Sequence, residues 1–202
     1  MNRSIVAMAV AAVIATVAVI AGAVYLLQTG PGADDAAAPT AATAPAEAPA
    51  GGEEDDVPAR PDCPADGAGG ITLPCLGGET GAQPQAEGIT VVNLWAWWCG
   101  PCRDELPYFD DFAAEHPEYT VVGVHADGNP GNGAAFLNDL GVEMPSYQDS
   151  DNTFAGTLGL PAVVPITVIF EGTEQLAMYP QPFDSAAELA AAVDEAVAAA
   201  EV

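Results

Sequence analysis

The chain predicts an α/β domain, and three observations carry that prediction. A β-branched and aromatic run, residues 90–98, ends on Cys99-Gly100-Pro101-Cys102. After it, strand-like apolar runs alternate with stretches whose apolar residues recur every three or four positions. Two adjacent strand-like runs and an Ala-rich helical stretch then close the chain. Strands alternating with helices, followed by a hairpin and a closing helix, bury their apolar faces as a sheet covered by helices.

Each element has its own local reason. Leu73-Pro74-Cys75-Leu76-Gly77-Gly78 reads as a short edge element and turn. Residues 90–96 form the first central strand. Residues 101–115 read as a helix with Leu106, Phe109 and Phe112 on one face, and Pro107 predicts a kink. Residues 120–125 are a second strand and 127–133 a loop. A short helix over 134–140 stops at Gly141. Residues 144–147 suggest a short strand, and Asp151 or Asn152 a cap for a helix ending near Leu158. Residues 166–170 and 175–179 pair through the Gly172-Thr173 turn. Asp184 or Ser185 caps a last helix, to about Ala200, with Leu189, Val193 and Val197 on its apolar side.

Three regions follow from composition. Residues 1–27 contain 23 consecutive uncharged, almost wholly apolar residues behind Arg3. About 20 such residues span a bilayer, whereas a cleaved signal has an apolar core of ~7–15. The expectation is an N-terminal membrane anchor with the rest of the chain outside the cytoplasm; the alternative is secretion after cleavage near Ala21-Gly22-Ala23. Residues 28–62 are rich in Ala, Pro, Gly and acid, hold no aromatic residue, and read as a disordered linker with a reach of roughly 30 Å. Residues 63–202 are then the folded domain.

The chain has no lysine, three arginines and 29 acidic residues, for a net charge of −26. That field opposes nucleic acid and anionic surfaces as partners and favours neutral or basic ones, or a salty or acidic surrounding; solubility alone is the plainer reading. Exposed charges are screened beyond about 8–10 Å at moderate salt, so local groups decide the chemistry at the cysteines.

Two cysteines separated by two residues close a small disulfide ring or stand open as a dithiol. The interconversion carries two electrons and two protons. A strand, a tight turn and a helix place Cys99 at a helix N-terminus, where free N–H groups and the macrodipole stabilise a thiolate. Pro101 suits the first turn because its missing N–H costs nothing there. Cys99 is therefore the expected exposed nucleophile and Cys102 the shielded resolving thiol. Half of a zinc site with Cys63 and Cys75 is the competing reading, but the 63/75 spacing is too wide for a zinc ribbon. An inert structural disulfide is the other, and the strand-to-helix junction behind Trp98 argues against it. His116 and His125 lack metal-ligand spacing and read as structural, so neither a metal nor a cofactor is expected.

Asn93-Leu94-Trp95-Ala96-Trp97-Trp98-Cys99-Gly100-Pro101-Cys102, then Pro107, then Val164-Pro165 before a strand, resembles the thioredoxin superfamily. More narrowly, it is similar to the exported, membrane-tethered TlpA/ResA-like thiol-disulfide oxidoreductases. The resemblance covers about residues 71–200, and the segment between Ala126 and Pro161 fits the insertion of that subfamily. It implies a thioredoxin-like fold and an activity on exported protein thiols and disulfides. A reductant role is the favoured direction, for example in cytochrome c maturation, with a membrane thiol carrier as electron donor. A disulfide-forming oxidase and a redox-silent binding module are the alternatives.

The resemblance also implies site roles. Pro165 matches the cis-proline facing the cysteine pair, which frees the backbone of Val164 to pair with an extended substrate. Glu105, one helical turn beyond Cys102, matches a glutamate that influences cysteine titration; a solvated surface glutamate is the plainer reading. Asn93 stands where cytoplasmic thioredoxins carry a buried aspartate. Trp98, Gly100 and Pro101 border the expected substrate groove, with one of Trp97 and Trp98 in the core. Arg103 is expected to be exposed, or to stabilise a thiolate or pair with Asp104 or Glu105. Outside the motif, Cys63 and Cys75 are expected to form a structural disulfide, since further cysteines of an exported domain usually pair; a second redox pair relaying to Cys99 is the alternative.

Overall fold

The structure, a computed structural model, describes residues 57–81 and 88–200. The expected anchor at 1–27 lies outside these residues, as does most of the linker. Among the described residues no helix is long and apolar enough to cross a membrane.

Five strands form one mixed sheet: β1 (Ile89–Trp95), β2 (Thr120–His125), β3 (Ser146–Gln148), β4 (Ile166–Glu171) and β5 (Glu174–Tyr179), in the order β3-β2-β1-β4-β5. β1 runs parallel to β2 and antiparallel to β4; β2 and β3 are parallel, and β4 and β5 form the predicted hairpin. Among the described residues the helices are α1 (Gly100–Glu115), α2 (Pro130–Leu140), α3 (Thr153–Leu158) and α4 (Ala186–Ala200). This is the thioredoxin-like arrangement expected, with α2, β3 and α3 inserted before β4. α1 continues through Pro107.

β1 sits at the centre because nearly all of it is buried on both faces. Side chains of a strand alternate between faces. Val91 and Trp95 pack with Leu106, Phe109 and Phe112 of α1, Phe136 and Leu137 of α2, and Leu189 and Val193 of α4. Val92 and Leu94 pack on the other face with Val168, Phe170, Tyr147 and Phe154. Gly133 lets α2 close onto the sheet, since a Cβ there would stand 2.6 Å from the His125 ring. Gly141 ends α2 in the left-handed conformation, φ +69°, as its position predicts.

Several local expectations change. Residues 57–62, assigned by composition to the linker, are packed against the domain: Val57 touches the core and Arg60 is buried. Arg60 therefore joins Arg103 as a cation of the fold. The short strand is Ser146–Gln148 rather than 144–147, because Asp110 accepts from the N–H groups of Glu143 and Met144 and holds that turn off the sheet. Asn152 precedes α3 in the left-handed conformation and makes no side-chain cap. The carboxylates of Asp149 and Asp151 accept from Thr153 N–H instead, and Asp149 also accepts from Phe154 N–H. Ser185 does cap α4, accepting from Glu188 N–H at 3.2 Å.

Candidate active site

Cys99 follows the turn out of β1, its N–H donating to Ala96 O at 3.0 Å. It is the N-cap of α1, in extended conformation, and its Sγ accepts from Cys102 N–H at 3.2 Å. Cys99 and Cys102 are joined by a disulfide. The helix thus aims an N–H at the sulfur that would carry negative charge after reduction. Cys99 is 5% exposed and Cys102 fully buried, so the expected order of access holds while the nucleophile is more covered than expected. Gly100 and Pro101 are exposed beside it.

Val164 approaches from the loop before β4. Its carbonyl oxygen lies 3.7 Å from Cys99 Sγ, and the Val164-Pro165 bond is cis, as expected. Beside this contact an apolar cavity of about 200 Å³ opens between Trp98, Ala126, Ala155, Pro161 and Val164. Trp98 is 59% exposed and Trp97 37%, so neither is core; the buried tryptophan is Trp95. The indole of Trp98 donates to Asp127 at 3.0 Å. Burial pushes the Asp127 carboxyl up, but hydrogen bonds from Asn129 N–H, Trp98 and Trp97 outweigh it and hold the group below the ordinary carboxylate range.

Glu105, one helical turn beyond Cys102 on α1, is fully buried, which removes the solvated-surface reading. One carboxylate oxygen accepts from Asn93 Nδ2 at 2.7 Å and the other from Phe183 N–H at 3.0 Å. Burial pushes its pKa up to about 7, against the pull of those two hydrogen bonds. A carboxyl poised there can hold or release a proton near neutral pH.

Arg103 forms no ion pair with Asp104 or Glu105; its guanidinium lies 4.6 Å from the centre of the Phe136 ring. His125 is buried, 2.9 Å from the Gln148 side-chain oxygen, with its ring tilted 39° to that of Trp95. His116 ends α1, packed on Phe112 and next to Glu118. Both are built into the scaffold.

Cys63 and Cys75 are bonded to each other. They hold the first described residues along the outer edge of β3: Leu76 N–H donates to Ser146 O and Gln148 N–H to Pro74 O, each at 2.8 Å. Asp127 and Phe183 escaped the sequence reading. Phe183 acts through its backbone, which leaves no mark in sequence, and Asp127 is one of many acidic residues.

The sequence profile of the AhpC/TSA family matches residues 64–178. The chain belongs to the AhpC/TSA family. Within this thioredoxin-like family it is similar to the thiol-disulfide oxidoreductase ResA of Oceanobacillus iheyensis, 33% identical over 69 residues, or 33% of this chain and 35% of that protein. The aligned stretch thus spans about a third of that relative. A secreted Mycobacterium tuberculosis disulfide oxidoreductase homologous to Escherichia coli DsbE shares the fold, with TM-score 0.53 and 22% identity over 66% of this chain and 99% of that one. StoA from Bacillus subtilis does too, with TM-score 0.51 and 22% identity over 59% and 92%. The AhpC/TSA assignment and the five-stranded sheet with flanking helices agree.

Proposed function

We propose that this AhpC/TSA domain is a thiol-disulfide oxidoreductase working outside the cytoplasm, tethered through residues 1–27. One observation carries the reading. Cys99 sits at the N-terminus of α1, bonded to Cys102, beside the Val164 carbonyl and an exposed tryptophan.

In the reductive direction, the Cys99 thiolate attacks one sulfur of a substrate disulfide. The other substrate sulfur leaves as a thiolate and takes a proton. Cys102, deprotonated, then attacks Cys99 Sγ in the mixed disulfide and expels the second substrate thiol. Two electrons have passed to the substrate, and the protein is left as the bonded pair. Glu105 is placed to take the Cys102 proton in this step and to return one when the pair is reduced again. Trp98, Gly100, Pro101, Val164 and Pro165 border the substrate.

The partners are exported protein thiols and disulfides. A reductant role, as in apocytochrome c maturation, is the direction proposed, with electrons from a membrane thiol carrier. Support comes from the Gly-Pro pair between the cysteines and the likeness to ResA. The deciding experiment is the reduction potential of the Cys99–Cys102 couple, with an insulin-reduction assay on the chain and on Cys99→Ser. A reductant lies near the thioredoxin value of about −270 mV, and an oxidant near about −120 mV. An intact chain no more active than Cys99→Ser would leave a redox-silent binding module.

A further inference from the structure

The buried polar groups around Glu105 do not end at Asn93. Asn93 on β1 and Thr167 on β4 are direct cross-strand partners. Both are fully buried. Both also keep a buried polar atom without a hydrogen-bond partner, Oδ1 of Asn93 and Oγ1 of Thr167. Cross-strand partners have Cβ atoms about 4.5–5.5 Å apart on one face, and two buried oxygens left unpaired that close to each other call for a shared polar partner, which a buried water supplies. The amide end of Asn93 is committed elsewhere, to Glu105.

Strand propensity does not account for Thr167. Valine has the same shape, suits a strand as well, and carries no hydroxyl to bury. The neighbours Ile166, Val168, Ile169 and Phe170 are all apolar and buried. One hydroxyl in that row, opposite the one polar residue of β1 that touches Glu105, points to a task.

We propose that Thr167 is a positioning residue: with one buried water it anchors Asn93 Oδ1, keeps the Asn93 amide turned to Glu105, and so sets how readily Glu105 releases its proton. The water donates to Oδ1, and the Thr167 hydroxyl engages the water's remaining hydrogen-bonding capacity. A donor on Oδ1 polarises the amide and strengthens the N–H bond to the carboxylate. Removing the hydroxyl weakens that bond and leaves the site drier. Both changes disfavour the ionised carboxyl, so they act in the same direction.

The other groups facing Glu105 are few. Its own helix brings the cysteine pair, with Arg103 and Asp104 exposed. β5 brings Tyr179, register partner of Thr167, whose hydroxyl donates to Ala192 O at 3.2 Å. α4 brings Leu189 and Val193, with Glu188, Asp194 and Glu195 exposed. The turn before α4 brings Phe183.

The consequence for exchange rests on the function proposed above, but the test does not. It is a carbon-13 NMR titration of the Glu105 carboxyl in the oxidised full chain, compared with Thr167→Val and Thr167→Ser. The valine variant should raise the midpoint by about half a pH unit or more, and the serine variant should return it. In a Glu105→Gln background, Thr167→Val should leave the pH profile of disulfide exchange unmoved. A folded Thr167→Val chain that titrates like the parent overturns the proposal. If the valine variant does not fold, the parent decides: magnetisation transfer from a bound water to the Asn93 side-chain amide supports the site, and a dry amide overturns it. A parent that exchanges no disulfides yet shows the expected titration would remove the function and leave this placement standing.

Discussion

Arg60 donates to the carbonyl oxygen of Val142 at 2.6 Å, across 82 residues of chain. It also reaches Asn138 Oδ1 at 2.7 Å and Met144 O at 3.3 Å. One arginine from a segment with linker composition thus ties down the turn between α2 and β3. Asp110 holds the same turn from α1.

Arg60→Met should therefore destabilise the domain. It strands the Val142 and Met144 carbonyls, and hydrogen bonds to a charged group contribute about 1.5–3 kcal/mol each. Burying the guanidinium, whose Nε has no partner, offsets part of that sum, so the expected loss is on the order of 2–3 kcal/mol, read as a lower urea midpoint with an unchanged slope. An unchanged midpoint would make residues 57–62 a loose attachment after all.

The Cys63–Cys75 bond works on the same edge. Closing a loop of this length contributes about 3 kcal/mol in the chain-entropy model. The double variant Cys63→Ser with Cys75→Ser should lose stability of that order while keeping the disulfide exchange of Cys99 and Cys102. Loss of exchange in a still-folded double variant would instead make the second pair a relay.

Trp98 and Asp127 make a different kind of pair. An exposed indole next to Cys99 is useful for binding only if it is held, and Asp127 holds it beside the apolar cavity. Asp127→Ala should slow exchange with protein substrates several-fold and change exchange with small thiols much less. Comparing kcat/KM for a protein disulfide and for a small disulfide checks this. Equal losses on both would place the role of Asp127 in the scaffold.

The sheet, the helices and the cysteine pair were legible because apolar periodicity and β-branched runs report burial directly. Val91, Val92 and Val168 announce themselves, and Gly141 marks its helix end. Arg60 was illegible because Ala, Pro and acid around it look alike whether packed or free. Trp97 and Trp98 could not be sorted by residue type, since the turn after the strand leaves both exposed and only Trp95, still on β1, is buried. At the start of α3 Asp151 was legible as a cap, but not Asp149, whose carboxylate reaches Thr153 and Phe154 N–H from before the turn. Glu105 was legible as a position, but its burial depends on Phe183, far along the chain.

Glu105 couples the site to stability through pH. Folding raises its pKa from 4.5 to about 7, mainly by burial. Between those values the folded chain keeps a proton that the unfolded chain has released. This contribution is therefore fully present below the unfolded value and is lost as pH rises through the folded one. The loss is on the order of 3 kcal/mol at most, at about 1.4 kcal/mol per pKa unit. Glu105→Gln mimics the protonated carboxyl and has no proton to lose. Relative to the parent, the variant should gain stability as pH rises from 4.5 to about 7, with the gain levelling off once the folded parent's carboxyl has ionised. Urea unfolding of both oxidised chains across that range measures the difference, and the other carboxylates cancel. A difference that stays flat with pH would mean that Glu105 ionises in the fold as freely as in water.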